Sequence, residues 1–292
     1  MIDRKYILLS FILIFSIQVV AQESLLNGLE KEQEVNHKVT GAFKSSRVIN
    51  AHSMEMIGAG SMDFRILHRF GPVSQGIGDL FGLDQASMRM GFDFGLSNNL
   101  TIGIGRTTYK KELDGFLKYR LIQQDEINAP VSLIAVAGVS VFTYKSPDPL
   151  KPLTFNDRSG YYGQLIVGRK FSNSFSLQLS PTLVYRDMIE PGDQNAIYAL
   201  GIGARHKITK RMAFVVDYSF VANGLPQTVG ANPLSIGVDI ETGGHVFQLH
   251  FSNSTGMNER SFITETTKSW GSGEIRFGFN LSRIFDIKKS KK

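Results

Sequence analysis

The sequence predicts an all-β protein: an antiparallel transmembrane β-barrel of about twelve strands. Three observations carry this. Large apolar residues alternate with small or charged ones over many short segments, tight connections alternate with long ones, and glycine recurs on the polar row. A length of 292 residues suffices for one large domain, and a mean hydropathy of −0.06 argues against a polytopic helical membrane protein. The chain has no cysteine, which excludes disulfides, thiolate metal sites, a cysteine nucleophile and a lipid-modified N-terminal cysteine.

The ends differ from the body. Arg4 and Lys5 precede a run of 14 mostly apolar positions, Ile7–Val20, and Val19-Val20-Ala21 supplies small exit residues. Residues 1–21 therefore read as a secretory signal peptide cleaved before Gln22, since a transmembrane anchor needs about 20 apolar residues. Residues 22–58 read as a periplasmic leader or plug segment, in which Gln22–Lys38 is charged and mildly helical. Ala42–Ile57 looks extended and suited to an extra strand. Residues 59–285 are the expected barrel, and 286–292 a basic tail with Lys288, Lys289, Lys291 and Lys292. The net charge of +6 falls to +5 without residues 1–21, and to +1 once the four tail lysines are set aside. The basic balance belongs to a solvated tail, so nucleic acid is not an expected partner.

Period-2 patterning begins at Gly60. Met62, Phe64, Ile66 and Phe70 oppose Asp63, Arg65 and Arg69, with His68 in the apolar row. Met88, Met90, Phe92, Phe94 and Leu96 oppose Arg89, Gly91, Asp93 and Gly95; Ile275, Phe277, Phe279 and Leu281 oppose Arg276, Gly278, Asn280 and Ser282. Soluble strand surfaces favour Thr, Lys and Glu over repeated glycine, whereas small and charged residues suit the concave inside of a barrel. Strands are expected near 60–70, 87–96, 99–106, 113–122, 131–143, 160–171, 174–186, 196–206, 211–221, 234–241, 245–252 and 273–282.

The connections Ser97-Asn98, Ser172-Asn173, 207–210 and 242–244 are tight, whereas 71–86, 144–159, 187–195, 222–233 and 253–272 are long. Such alternation marks an outer-membrane barrel, although 107–112 is shorter and 123–130 longer than the rule asks. The apolar run Val131–Phe142 tests a helical alternative. Its 12 residues would span about 18 Å as a helix but about 40 Å as a strand, so only the strand crosses a bilayer. Arg106 and Arg169 share the apolar parity but fall at strand ends, and Tyr144, Tyr161, Tyr185 and Trp270 sit near loop ends, as interfacial aromatics should. The last strand is expected to end at Leu281, with Arg283 interrupting the approach to a closing Phe285 that assembly machinery would recognise.

Chemistry is sparse. His250-Phe251-Ser252-Asn253 resembles the active-site strand of outer-membrane phospholipase A and lipid A deacylases, in which histidine activates serine. Phe247, Leu249 and Phe251 claim the lipid face, however, which turns His250 and Ser252 into the lumen. The Gly103/Gly105 and Gly201/Gly203 pairs lack the rest of a nucleotide-binding loop. The six histidines show no metal-ligand spacing, so neither cofactor, metal nor catalytic residue is expected. The inward row collects Arg65, Arg69, Arg89, Lys118, Arg120, Arg186, Arg205 and Arg276, and against them Asp63, Asp93, Asp114, Asp217, Asp239, Glu241 and Glu274. These either line a charge-selective pore or neutralise one another in a filled interior.

Ala42–Asn50, Asp63-Phe64-Arg65, His68–Pro72, Phe81–Gln85, Gly103–Arg106, Asp114–Tyr119 and Gly243–Phe251 resemble the membrane-bound beta-barrel domain family of unknown function, from about residue 40 to 282. The resemblance implies an outer-membrane barrel of a Gram-negative envelope and brings no substrate or catalytic residue. The expected function is a narrow channel or transporter for small solutes. The alternatives are a structural or partner-binding barrel that docks a periplasmic or envelope protein, and, third, a lipid hydrolase. Outer-membrane lipid and the assembly machinery are the expected partners.

Overall fold

The computed structural model describes residues 37–146, 148, 150, 152–189, 192–223 and 230–287. The expected signal peptide, residues 22–36 of the leader and residues 288–292 of the tail lie outside the described residues. Twelve antiparallel strands close into one barrel in sequence order, with β12 returning to β1. They are β1 (Ser61–Pro72), β2 (Ala86–Ser97), β3 (Leu100–Thr107), β4 (Glu112–Ile122), β5 (Ser132–Phe142) and β6 (Ser159–Lys170). The second half comprises β7 (Phe175–Arg186), β8 (Ala196–Lys207), β9 (Met212–Val221), β10 (Leu234–Thr242), β11 (His245–Ser252) and β12 (Arg276–Asp286). Two short helices, α1 (Phe155–Arg158) and α2 (Glu259–Thr264), lie in connections.

The two rows separate as the alternation requires. Asp63, Arg65 and Arg69 of β1 are buried, while Met90, Phe92, Leu179, Phe214 and Leu249 on other strands stand exposed on the outside. His68 occupies the outer row, stacked on Phe279 at 4.8 Å. An apolar belt of this kind is stable where lipid, not water, surrounds it. Among the described residues no helix is long and apolar enough to cross a membrane.

Two expectations need correction. β12 does not end at Leu281: Ser282 to Asp286 pair with Arg65 to Ser61 of β1, which closes the barrel. Arg283 stands in the outer row near the strand end with its guanidinium 4.8 Å over the Phe285 ring. The second correction concerns Ala42–Ile57, which forms no strand. A closed barrel offers no free edge for another strand to join. The segment instead enters the lumen as a hairpin.

One end of the barrel carries both ends of the wall and the tight turns. There Gly243 and Gly244, with φ of 35° and 111°, make the two-residue β10–β11 turn that side chains would strain. The anomalously long connection at this end, residues 123–131, has a structural use. It receives the incoming N-terminal segment: Val39 N–H donates to the Gln124 carbonyl at 2.8 Å, and Lys38 pairs with Asp125 at 3.0 Å. Asp125 also accepts the N–H groups of Ile127, Asn128 and Ala129, which fixes the loop's shape.

Candidate functional site

The lumen is filled from both ends. From the turn end comes the hairpin 42–58, whose tip turns through Val48 to Ala51 (N–H to carbonyl, 2.8 Å) and whose limbs are tied by Ser53 N–H to the Ser46 carbonyl at 3.0 Å. From the loop end comes α2, with all of Glu259–Thr264 buried. Its start is set by Asn258, whose side chain accepts the Ser261 N–H at 2.9 Å. The two insertions meet at a buried ion pair. Arg47 Nη1 donates to both carboxylate oxygens of Glu259, at 3.0 and 3.2 Å, with the side chains 1% and 0% exposed. Glu259 also accepts the His52 backbone N–H at 3.2 Å, while the His52 ring lies edge-on to Phe116 and 3.1 Å from the Tyr162 hydroxyl.

Wall side chains hold the hairpin by its backbone. One Asp217 oxygen accepts the N–H groups of Ile49, Asn50 and Ala51 at 3.3, 2.7 and 2.9 Å, a concave nest around an anion. Gln248 and Asn280 donate to the carbonyls of Val48 and Ile49, and Gln178 receives Met54 N–H while donating to the His52 carbonyl. Among the described residues no backbone-to-backbone bond joins 42–57 to the barrel. The apolar share comes from Phe43, Val48, Ala51 and Met54, which pack with Phe262 and Ile263 of α2 against an inward sector of Ile134, Ile166, Val184 and Ile197. Burial of each large side chain contributes on the order of 1.5–3 kcal/mol.

Inward glycines make the space. A methyl group at Gly95 would overlap the Gly58 carbonyl oxygen, and one at Gly168 the Met54 sulfur; at Gly203 it would stand 2.8 Å from Val48 Cγ2. The glycine row read from the sequence thus includes positions where the wall gives way to the hairpin.

The charged residues singled out by parity fall into three groups. Arg65, Arg69, Asp93, Lys118 and Asp217 touch the hairpin. Arg65 donates to Ser45 and Ser46 Oγ at 2.8 Å each, and Arg69 to Asn50 Oδ1 at 2.6 Å. Lys118 donates to the Glu55 carbonyl at 2.5 Å, and Asp93 accepts from Ser46 Oγ at 3.1 Å. Arg89, Arg205 and Asp239 pair within the wall: Arg89 is bidentate to Asp114 at 2.5 and 2.8 Å, and Arg205 lies 3.7 Å from Asp239. Arg120, Arg186 and Arg276 sit at the rims, bonded to the Asn98 carbonyl, Asp193 and Thr255. His250 and Ser252 both point inward and are buried, yet no hydrogen bond joins them. Ser252 Oγ accepts from Ser235 Oγ at 2.8 Å, and His250 fits because Gly237 and Gly278 beside it lack side chains. Among the described residues no three metal-ligating side chains cluster.

Sequence reasoning missed Arg47, His52, Glu259 and Arg260. None lies on a periodic segment, and their partners are far away in the chain. Arg260 binds Glu112 at 2.9 Å and Glu265 at 2.8 Å, and lies 4.0 Å over the Phe142 ring; Lys110 adds a second cation to Glu265 at 3.0 Å. Burial alone would raise the Glu265 carboxyl, but Arg260 and Lys110 outweigh it and hold it below its ordinary value of 4.5. A depressed folded-state pKa contributes stability above pH 4.5 that is lost as the pH falls through the folded value. Acidification below pH 4.5 is therefore expected to loosen the α2 anchor, seen as faster amide exchange over 259–266, and Glu265→Gln should remove that dependence.

A cavity of about 440 Å³ remains at the turn end, lined by Lys44, Glu55 and Glu241 among others, and one of about 330 Å³ at the loop end beside Lys110, Arg186 and Glu265. The ion pair of Arg47 and Glu259 lies between the insertions that separate them.

Barrels of similar architecture occur among solved structures. The KdgM porin is 9% identical, the match covering 77% of this chain and 99% of that one, with a TM-score of 0.45. The COG4313 outer membrane channel from Pseudomonas putida F1 is 13% identical over 80% of this chain and 98% of that one, with a TM-score of 0.48. Outer membrane phospholipase A from Escherichia coli is 11% identical over 78% and 91%, with a TM-score of 0.41. At these identities the likeness is one of fold alone, and it spans a channel and an enzyme. No curated protein matches the sequence. Residues 43–285, which take in nearly all of the hairpin and of the wall, match the model of the membrane bound beta barrel domain family (DUF5777), and the chain belongs to that family.

Proposed function

We propose that the protein is an outer-membrane channel or transporter for small solutes that rests closed, with hairpin 42–58 as its plug. In this reading the signal peptide carries the chain across the inner membrane, the turn end faces the periplasm, and α2 descends from an external loop. The observation that carries the reading is how the hairpin is held. Wall side chains, not a β-ladder, bind its backbone, so withdrawal would break no strand pairing and every vacated group could hydrate. The surface left behind by Arg65, Arg69, Lys118, Asp93 and Asp217 would be the mixed-charge lining of a selective pore.

The apolar contacts of Phe43, Val48 and Met54 favour a second reading, a permanently sealed barrel that serves as a structural or partner-binding scaffold. Planar-bilayer recordings separate the two. The full chain is expected to be nearly silent, and a chain lacking residues 22–58 to conduct in discrete steps. A deletion variant that migrates as a folded, heat-modifiable barrel yet conducts no better than the full chain would overturn the channel reading in favour of the scaffold.

A further inference from the structure

Where β12, β1 and β2 reach the loop end, the wall holds two guanidinium groups that no carboxylate bonds. Arg69 of β1 pairs with Ser87 of β2, and Ser87 shares the inward parity of Arg89. On its other side β1 is bulged. Arg69 pairs with Gly278 but Pro72 with Arg276, so Phe70 and Gly71 together oppose Phe277 alone. An extra residue of this kind bends a strand and re-aims its side chains. Beside the bend lies a cavity of about 140 Å³, lined by Arg69, Ser87, Arg276, Gln85 and Thr255 among others.

The donors around this cavity are short of acceptors. Arg69 is fully buried, and its three bonds go to uncharged oxygens, those of the His68 carbonyl, Asn280 and Asn50. Its Nε is buried without a partner, and so is Ser87 Oγ. Arg276 donates to one hydroxyl, Thr255 Oγ1, at 2.8 Å. Two carboxylates act on the pair from farther off, and both are committed: Asp217 to the hairpin N–H groups, Glu274 to Lys268. The larger cavity at the same end differs, because Lys110, Arg186 and Arg260 there each already hold a carboxylate. A buried cation with no bonded anion is costly, and an acceptor-only ion relieves it. A tetrahedral oxyanion has an oxygen for each waiting donor, and the guanidinium fork matches its edge. One water needs about 10–15 Å³ of such space, so the cavity takes an ion of this size with part of its hydration shell. We infer that this cavity, at the loop-end mouth of the barrel, binds a small oxyanion of the phosphate and sulfate class. The inference does not depend on whether the barrel conducts.

Calorimetric titration of the full chain in uncharged detergent at low chloride, with inorganic phosphate, sulfate and acetate as probes, tests this. Phosphate and sulfate should each bind saturably at one site per chain, and acetate several-fold more weakly. Arg276→Gln should weaken phosphate binding about tenfold or more, the worth of one charge-assisted hydrogen bond, and Ser87→Ala several-fold. Arg120→Gln removes a cation at the opposite rim whose bonds also go to uncharged oxygens, and should leave binding unchanged. Phosphatidic acid added to the micelles should not compete, since the donors stand on the inward row. No saturable binding by the folded chain, equal affinity for acetate, full affinity in a folded Arg276→Gln variant, or competition by phosphatidic acid would overturn the inference.

Discussion

Glu259→Ala is expected to unseat the hairpin while leaving the barrel standing. The carboxylate is fully buried, and it is the ionic partner of Arg47 as well as the acceptor for the His52 backbone. Removing it strands the Arg47 charge out of water, with the Asn50 carbonyl at 2.6 Å, the His52 ring and the Phe116 ring at 5.6 Å but no anion bonded to it. Breaking a buried pair from one side costs about 3–5 kcal/mol. The wall's own ladders do not include this pair, so the loss falls on the hairpin and α2. Amide exchange over 42–58 should rise about 100- to 4000-fold, at about 1.4 kcal/mol for each factor of ten, while exchange in the strands stays put. Arg47→Met combined with Glu259→Leu should recover much of the loss, since an apolar pair leaves no charge behind.

Gly95→Val should displace the hairpin's returning limb. Gly95 faces inward on β2 and receives the Gly60 N–H on its carbonyl at 2.8 Å, so the limb lies flush against the wall where it turns into β1. A side chain here would overlap the Gly58 carbonyl and stand 2.5 Å from that of Ile57, and backbone atoms cannot rotate out of the way. Valine suits the strand itself, so the cost, about 1–3 kcal/mol for overpacking, falls on residues 53–58. Faster exchange there and a rise in bilayer conductance are the expected readouts. Gly115→Ala is the matched control, because its nearest neighbour would be the Gly103 carbonyl at an ordinary 3.5 Å, and it should change neither.

The contrast between wall and lumen explains what could be read from the chain. Lipid imposes one demand on every strand, so Met90, Phe92, Leu179 and Phe279 announce the outer row and with it all twelve strands. The inner row answers to unlike neighbours. Arg65 and Asp217 look the same in sequence whether they face water or the backbone of Ile49 to Ala51. The hairpin itself has no period, because its hydrogen bonds go to side chains such as Gln248, 200 positions away. Two signals did point to a filled interior. The inward positions of β5 to β8 turn apolar at Ile134, Ile166, Val184 and Ile197, which a hydrated lining would not favour. The connection 123–131 is too long for its end of the barrel, and it proves to grip Lys38 and Val39 where the chain enters. Glu259 offered no such sign, since it sits in an aperiodic connection and meets its partner Arg47 only when both insertions enter the lumen.

The occupied lumen is tested most directly by oxidative cross-linking of Val48→Cys with Gly203→Cys in the otherwise cysteine-free chain. Val48 Cγ2 lies 2.8 Å from where the Gly203 side chain would begin, close to the cross-bridge spacing of a disulfide. Rapid, near-complete cross-linking in the folded barrel, reversed by reductant, is the predicted result. A folded barrel in which the two cysteines stay free, and react separately with a water-soluble maleimide, would contradict it.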